Sequence, residues 1–301
     1  MKNILRLVFI PILLLLIACN FPNESAPAVV STLPTSINPT DMPGITPTES
    51  VNYIAFINEE GISEEIFQAD LIQFEKAVED GFNTIDAGQT SNEIVLDDLI
   101  QRYLLSQSAR EAGFIANDEI VEVRIGELSD ELGGEETLFT WIEDYGFTKE
   151  SFRNALGLEI EASWQREQII MNVPAQAEQV KARQLFFFNI TQARSAYGLL
   201  ESGSSFDLVV KEFDPGNLGF LGWFPRNYLL LEEIENLAFS LQLGEYSEII
   251  ETEIGYHILQ VLDHEAEKEL SADALFTLQE KALQEWLDGQ LSQSRIEVLN
   301  P

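Results

Sequence analysis

The spacing of apolar residues changes character near residue 175, and this change constrains the fold more than any other feature of the chain. Upstream, apolar residues recur at helical steps: Phe67, Leu71, Phe74 and Val78 share one face of a helix, because 3.6 residues per turn brings positions three and four apart together. Ser63 precedes that face as an N-cap, and Glu64 and Glu65 suit the positive end of the helix dipole. A second helix is expected from Leu96 to Ala112, with Leu99, Ile100, Tyr103 and Leu104 inside and Gly113 as its stop. "NDEIVEVRIGELSDELGG" predicts a third, capped by Asn117 and ended by the glycine pair, and "EETLFTWIEDYGF" and "TKESFRNALGLEIEASWQREQII" predict two more, the last starting at Thr148. A short apolar strand, Tyr53 to Ile57, and a polar turn lead this block.

Downstream the pattern alternates. "VKARQLFFF" reads as a buried strand, "TQARSAYGLLESG" and "SFDLVVKEF" as helices, "FDPGNLGFLGWFPRNY" as a turn and a strand, and "LEEIENLAFSL" as a helix. "YSEIIETEIGYHILQVL" reads as two strands joined by a tight turn at Gly255. This order is α+β, with a small antiparallel sheet flanked by helices. After residue 265 comes one long amphipathic helix, with Leu275, Leu278, Ala282, Trp286 and Gln290 at helical steps, ending in a short strand, "RIEVL".

Charge narrows the function classes. The formal net charge is -34, with 17 Lys+Arg against 51 Asp+Glu, and phosphate binding needs clustered cations, so nucleic acid is excluded as a partner. The same charge repels anionic headgroups, so a membrane attachment has to be apolar or covalent. Residues 1–19, "MKNILRLVFIPILLLLIAC", supply one: Lys2 and Arg6, an apolar run too short for a comfortable span, and small Ala18 before Cys19 have the layout of a secretory signal. "LIAC" resembles the lipobox of bacterial lipoproteins, which implies cleavage before Cys19 and diacylglycerol on its sulfur; the alternative is an ordinary signal peptide with an incidental cysteine. Cys19 is the sole cysteine, so an exported chain has no internal disulfide and relies on packing. Residues 20–50, rich in Pro, Ser and Thr and without hydrophobic period, read as a disordered tether.

The stretch at 213–228 is nearly neutral and turns sharply in an otherwise acidic chain. "LGWF" and "ENLAFSLQLGEYSEIIETEIGYHILQVL" resemble the parvulin family of peptidyl-prolyl isomerases, and the helical segments on either side are similar to SurA-like and PrsA-like foldases. The resemblance implies a helical SurA-like chaperone domain at 51–175, an inserted parvulin domain at 176–265, and a C-terminal segment, 266–301, packing back on the helical domain. It places Asp214 beside the reacting peptide bond, Leu221, Leu230 and Ile234 on the wall of a proline pocket, and Thr252 and His257 at its polar end. Two positions depart from the family: Gln184 stands where a first histidine is usual, and Phe220 where an aspartate is usual. Pro215 and Gly216 suit the centre of a type II turn.

Rotation about an X–Pro bond is slow because the amide has partial double-bond character, and lowering its barrier requires no metal, cofactor or nucleophile. The resemblance therefore implies an extracytoplasmic isomerase, or foldase, acting on unfolded or proline-containing exported polypeptides, its activity reduced by Gln184. Two other readings stand beside it: a catalytically silent, chaperone-like module that holds unfolded clients, and a surface lipoprotein that binds a small ligand or a partner. His264 beside Asp263 reads as a solvated surface pair, and the acidic doublets Glu59-Glu60, Glu135-Glu136 and Glu232-Glu233 lack metal-ligand spacing. Trp141, Trp164 and Trp286 read as core residues of amphipathic helices rather than as a client groove.

Overall fold

The structure, a computed structural model, describes residues 51–85 and 88–299; the expected signal segment with Cys19 and the tether lie outside the described residues. The chain separates into two compact units, one comprising residues up to 165 together with those from 289, the other residues 166–288.

In the first unit a hairpin of β1 (Tyr53–Ile57) and β2 (Glu60–Ser63) precedes α1 (Glu64–Glu79), α2 (Ser91–Glu111), α3 (Asp118–Leu132), α4 (Glu135–Asp144) and α5 (Lys149–Met171), the last running past residue 165. The second strand lies where a polar turn was expected. Asn58 adopts a φ of 56°, a left-handed conformation that asparagine tolerates, and so closes the chain back from Ile57 onto Glu60. Ser63 caps α1 by accepting from Ile66 N, and Asn117 caps α3 by accepting from Ile120 N. The second helix starts at Ser91, not Leu96, because Thr90 and Glu93 form a reciprocal capping box that satisfies two otherwise orphaned donors. Phe67, Phe74, Leu99, Ile100, Tyr103 and Leu104 belong to one buried cluster under the hairpin, and Leu71, Val78, Leu291 and Ile296 pack on its margin. A second cluster joins α3, α4 and α5 through Val121, Leu128, Leu138, Ile142, Phe152 and Leu156. Trp141 packs against this cluster, and Trp164 stacks on Phe114 at 4.9 Å.

A buried ion cluster crosses this unit. Arg102, 6% exposed, donates to Asp70 at 2.9 Å and Asp98 at 2.5 Å, and its Nε lies 3.1 Å from Glu159. Nearby, Glu161 accepts from Ser106 Oγ at 2.6 Å and from Ala116 N at 3.0 Å.

The second unit contains β3 (Gln176–Phe187), α6 (Ile190–Glu201), α7 (Phe206–Phe213), β4 (Phe220–Pro225), α8 (Glu232–Ser240), β5 (Ile250–Thr252), β6 (Gly255–Glu269) and most of α9 (Ala272–Gln293). Its four-stranded antiparallel sheet has the order β4-β3-β6-β5. Alternation along each strand separates two faces: Leu185, Phe187 and Ile258 pack against α6 and α7, whereas Val180, Ala182, Leu259 and Val261 pack against α8. The charged stretch after Val261 continues as strand to Glu269. Asp263, His264, Glu265 and Lys268 pair with Lys181, Val180, Gln179 and Ala177, and an exposed antiparallel edge accepts charge readily. His264 is solvated as expected, but its ring partner is Glu178 at 2.8 Å, while Asp263 accepts from the His264 backbone N–H. In α9 the buried positions are Ala274, Leu283 and Leu287, one step round from the expected stripe; Leu275, Leu278 and Trp286 are half-buried.

From residue 289 the chain belongs to the first unit again, and there β7 (Ile296–Val298) pairs with β1 through Ala55↔Val298 and Ile57↔Ile296.

Candidate functional site

Helix α8 covers only one end of its sheet face. Gln184 and Phe186 continue that face along β3, and His257 stands opposite Phe186 on β6. Beyond the last residue of β3, Phe188 is 85% exposed.

His257 is 1% exposed and both ring nitrogens are engaged: Nδ1 lies 2.8 Å from Gln184 Oε1 and Nε2 lies 2.9 Å from Thr252 Oγ1. Proton accounting follows from those partners. Gln184 Oε1 can only accept, so Nδ1 carries the proton, and the single Thr252 hydroxyl proton is shared between Nε2 at 2.9 Å and the more distant Gly255 O at 3.2 Å. Burial holds the imidazolium below the ordinary histidine range, with the field of Glu233 partly opposing it. The ring is therefore neutral at pH 7. Phe186 packs 4.9 Å from it and Phe188 packs edge-on to Phe186 at 4.8 Å, giving a neutral, hydrogen-bonded floor beside an aromatic wall.

The loop after α7 is built by Asp214. Its carboxylate accepts from Asn217 N at 3.3 Å and Gly219 N at 2.8 Å, and its backbone oxygen accepts from Leu218 N at 3.0 Å. Gly219 O in turn accepts from Gln184 N at 2.7 Å, so Asp214 holds the loop against the strand that carries Gln184. Only glycine fits at 219: φ is 69°, and a Cβ would fall 2.0 Å from Gln184 O. The expected type II turn at Pro215-Gly216 is absent. That turn requires a positive φ at the glycine, whereas the left-handed residues here are Leu218 and Gly219, where the Asp214 carboxylate gathers the backbone donors.

The remaining expected residues separate. Ile234 is 3% exposed within the cluster under α8, and Leu221 packs on its margin. Phe220, 47% exposed, lies opposite Arg183, and Leu230 projects from its loop with 96% exposure. Gln184, Thr252 and His257 are directly bonded; Asp214 reaches them through Gly219.

Two groups were not foreseen. The run "LFFF" was read only as buried strand, but alternation sends Phe186 toward His257. The other is Glu235, a 4% exposed carboxylate that accepts from Asn227 N at 2.6 Å, Tyr228 N at 2.8 Å and Leu229 N at 2.9 Å. It fixes the loop that ends in Leu230. Its sequence signal was an acid on the inward face of an amphipathic helix.

Residues 170–263 match the family described as "Rotamase: PPIC-type PPIASE domain". The chain carries a PPIC-type rotamase domain. Over stretches longer than that domain, the chain is similar to proteins named as foldases. The chain is 30% identical over 128 residues to the foldase protein PrsA of Geobacillus kaustophilus, covering 40% of this chain and 44% of that protein. It is 29% identical over 236 residues to the foldase protein PrsA of Halalkalibacterium halodurans, covering 69% of this chain and 70% of that protein. Among solved structures, the peptidylprolyl isomerase PrsA of Bacillus anthracis aligns with a TM-score of 0.41 and 17% identity, over 66% of this chain and 96% of that one. The PPIC-type match takes in Gln184, Asp214, Thr252 and His257, and with them the whole bonded network.

Proposed function

We propose that the protein is an extracytoplasmic peptidyl-prolyl cis–trans isomerase of the foldase type, acting on exported polypeptides and tethered to the membrane by lipid on Cys19. The observation that carries this reading is the neutral His257 held between Gln184 and Thr252 beside an open aromatic wall, inside a PPIC-type domain. The reaction breaks no bond. The planar amide resists rotation by about 20 kcal/mol, and its twisted form is less delocalised and less polar. Phe186 and Leu221 exclude water from one side of such an amide, while the fixed dipoles of Thr252 and His257 need no reorganisation as it turns. Asp214 contributes by holding the Gly219 loop on the β3 backbone. No helix among the described residues is long and apolar enough to cross a membrane.

Gln184 cannot titrate, so turnover is reduced relative to a site with two imidazoles. The test is a coupled proline-peptide isomerisation assay on the fragment from residue 51. Gln184→His should raise turnover about tenfold, equivalent to about 1.4 kcal/mol of barrier, and should alter the pH dependence of turnover, because a second imidazole then titrates beside His257. If parent and variant are equally inactive while the fragment still suppresses client aggregation, the silent binding module replaces the enzyme. For the anchor, Cys19→Ser should release the protein from the membrane fraction or leave it unprocessed; normal lipid labelling of that variant rules the anchor out.

A further inference from the structure

The floor of the rotamase site is neutral, but its margin is not. Glu233 stands in the first turn of α8, next to Ile234, which is buried in the cluster on which Leu221 and Ile250 pack. Ile250 pairs with His257 across β5 and β6, so this turn of α8 lies at the end of the sheet face that carries the ring. The Glu233 side chain is exposed and makes no ion pair or hydrogen bond among the described residues. Its field reaches the His257 ring, where it favours the protonated form against burial.

The cations of the second unit are placed elsewhere. Arg183 points to the other sheet face, where it donates to Asp207 at 2.6 Å and to Gln260 at 2.6 Å. Arg194 and Lys211 belong to α6 and α7, which pack on that same face. Lys268 lies over the Trp223 ring at 4.3 Å. Arg226 is on the α8 side, but it lies over Phe239 at 4.0 Å and pairs with Glu178 at 3.1 Å. Phe239 is six residues along α8 from Glu233, about 9 Å at the helical rise.

A residue bound over the His257 ring enters the field that the ring already feels. A cation there is attracted, and a carboxylate is repelled without a cation to offset it. We propose, on the isomerase reading above, that Glu233 is a specificity-determining residue of the rotamase site, selecting prolines flanked by lysine or arginine over prolines flanked by aspartate or glutamate. Glu233 touches no reacting atom and selects through charge alone. The net charge of -34 acts in the same direction over the whole surface, so the test has to separate the local carboxylate from the global field.

Two-dimensional exchange NMR follows cis–trans interconversion without a coupling protease whose own preferences would intrude. The probes are peptides with Lys, Ala or Glu before the proline, and a second set with the same residues after it, each mixed with the full chain. In at least one set kcat/KM for the lysine peptide should exceed that for the glutamate peptide about fivefold in about 0.01 M salt, and the ratio should approach one in about 1 M salt, where the Debye length is about 3 Å. Glu233→Gln should bring the low-salt ratio below about twofold, whereas Glu201→Gln, which removes the same charge from the end of α6, should leave it. Glu233→Gln should also lower the titration of the His257 ring and spare that of His264, the other of the chain's 2 histidines, with helical circular dichroism unchanged. A ratio near one in both sets, a ratio that survives Glu233→Gln, or an unmoved His257 titration overturns the proposal. If the parent accelerates no peptide, the isomerase reading fails separately, and the His257 ring shift then reads binding: the lysine peptides should bind several-fold more tightly than the glutamate ones, and equal binding, or none, overturns the selectivity as well.

Discussion

Replacing Arg102 with methionine should destabilise the first unit by about 3–5 kcal/mol, the cost of removing one partner from a buried ion cluster. The methionine fills most of the volume, so packing is not the source. Asp70, 1% exposed, would be left with two like charges, Asp98 and Glu159, and no cation at bonding distance. Even in the parent, burial, aided by those carboxylates and opposed by Arg102, raises Asp70 to about 6 from 3.8. A carboxylate whose folded value lies above its unfolded value favours the folded state most below the unfolded value and loses that advantage as pH rises through the folded one. The first unit should therefore lose about 3 kcal/mol between pH 4 and pH 7 relative to Asp70→Asn. Urea unfolding of the two proteins across that range measures it; parallel pH profiles would refute the assignment. His257 acts in the opposite sense. Its folded value is depressed by burial, so its contribution is present above the ordinary histidine range and is lost on acidification.

Removing the Glu235 carboxylate should affect the second unit as strongly. Glu235→Ala leaves three backbone donors, at Asn227, Tyr228 and Leu229, without their acceptor, at about 1–3 kcal/mol for each that water cannot reach. The same bonds hold Asn227 at a φ of 63°, so the loop should relax and Leu230 should lose its fixed position beside α8. Glu235→Gln keeps the shape and one acceptor oxygen and should retain more of both stability and isomerase turnover than alanine does. Equal retention by the two variants would assign Glu235 to packing alone.

Both carboxylates show where the sequence was silent. Helix starts were legible because capping is local: Ser63, Asn117 and Thr148 each serve a donor three residues on. The start of α2 was missed because Thr90 and Glu93 precede the first apolar residue, so a reading keyed to hydrophobic period begins too late. Asp70 and Glu235 sit in acidic helices where charge reads as solvent-facing. Their partners are 32 residues away for Asp70 and lie in a loop of irregular backbone for Glu235, and neither spacing leaves a periodic trace. The contact between Gln184 and His257 spans 73 residues. Pattern alone could not pair them; the motif around His257 could. The turn at 215–219 went astray for a related reason: Pro-Gly is a strong turn signal, but the Asp214 carboxylate decides which residues turn.

The return of β7 to β1 also sets an order of assembly. Asn58 N donates to Arg295 O at 2.7 Å and Arg295 N to Asn58 Oδ1 at 3.0 Å, so the three-stranded sheet closes only when residues near 296 have emerged. Residues 166–288 form a continuous unit and can complete their packing before that. Until then β1 has its hairpin partner β2 on one side and a bare row of amide and carbonyl groups on the other, the kind of edge that recruits any extended strand nearby. Closing so long a loop is slow compared with forming helices. A newly made copy therefore passes through a stage in which its second unit is finished while β1 is still open to a strand from another chain.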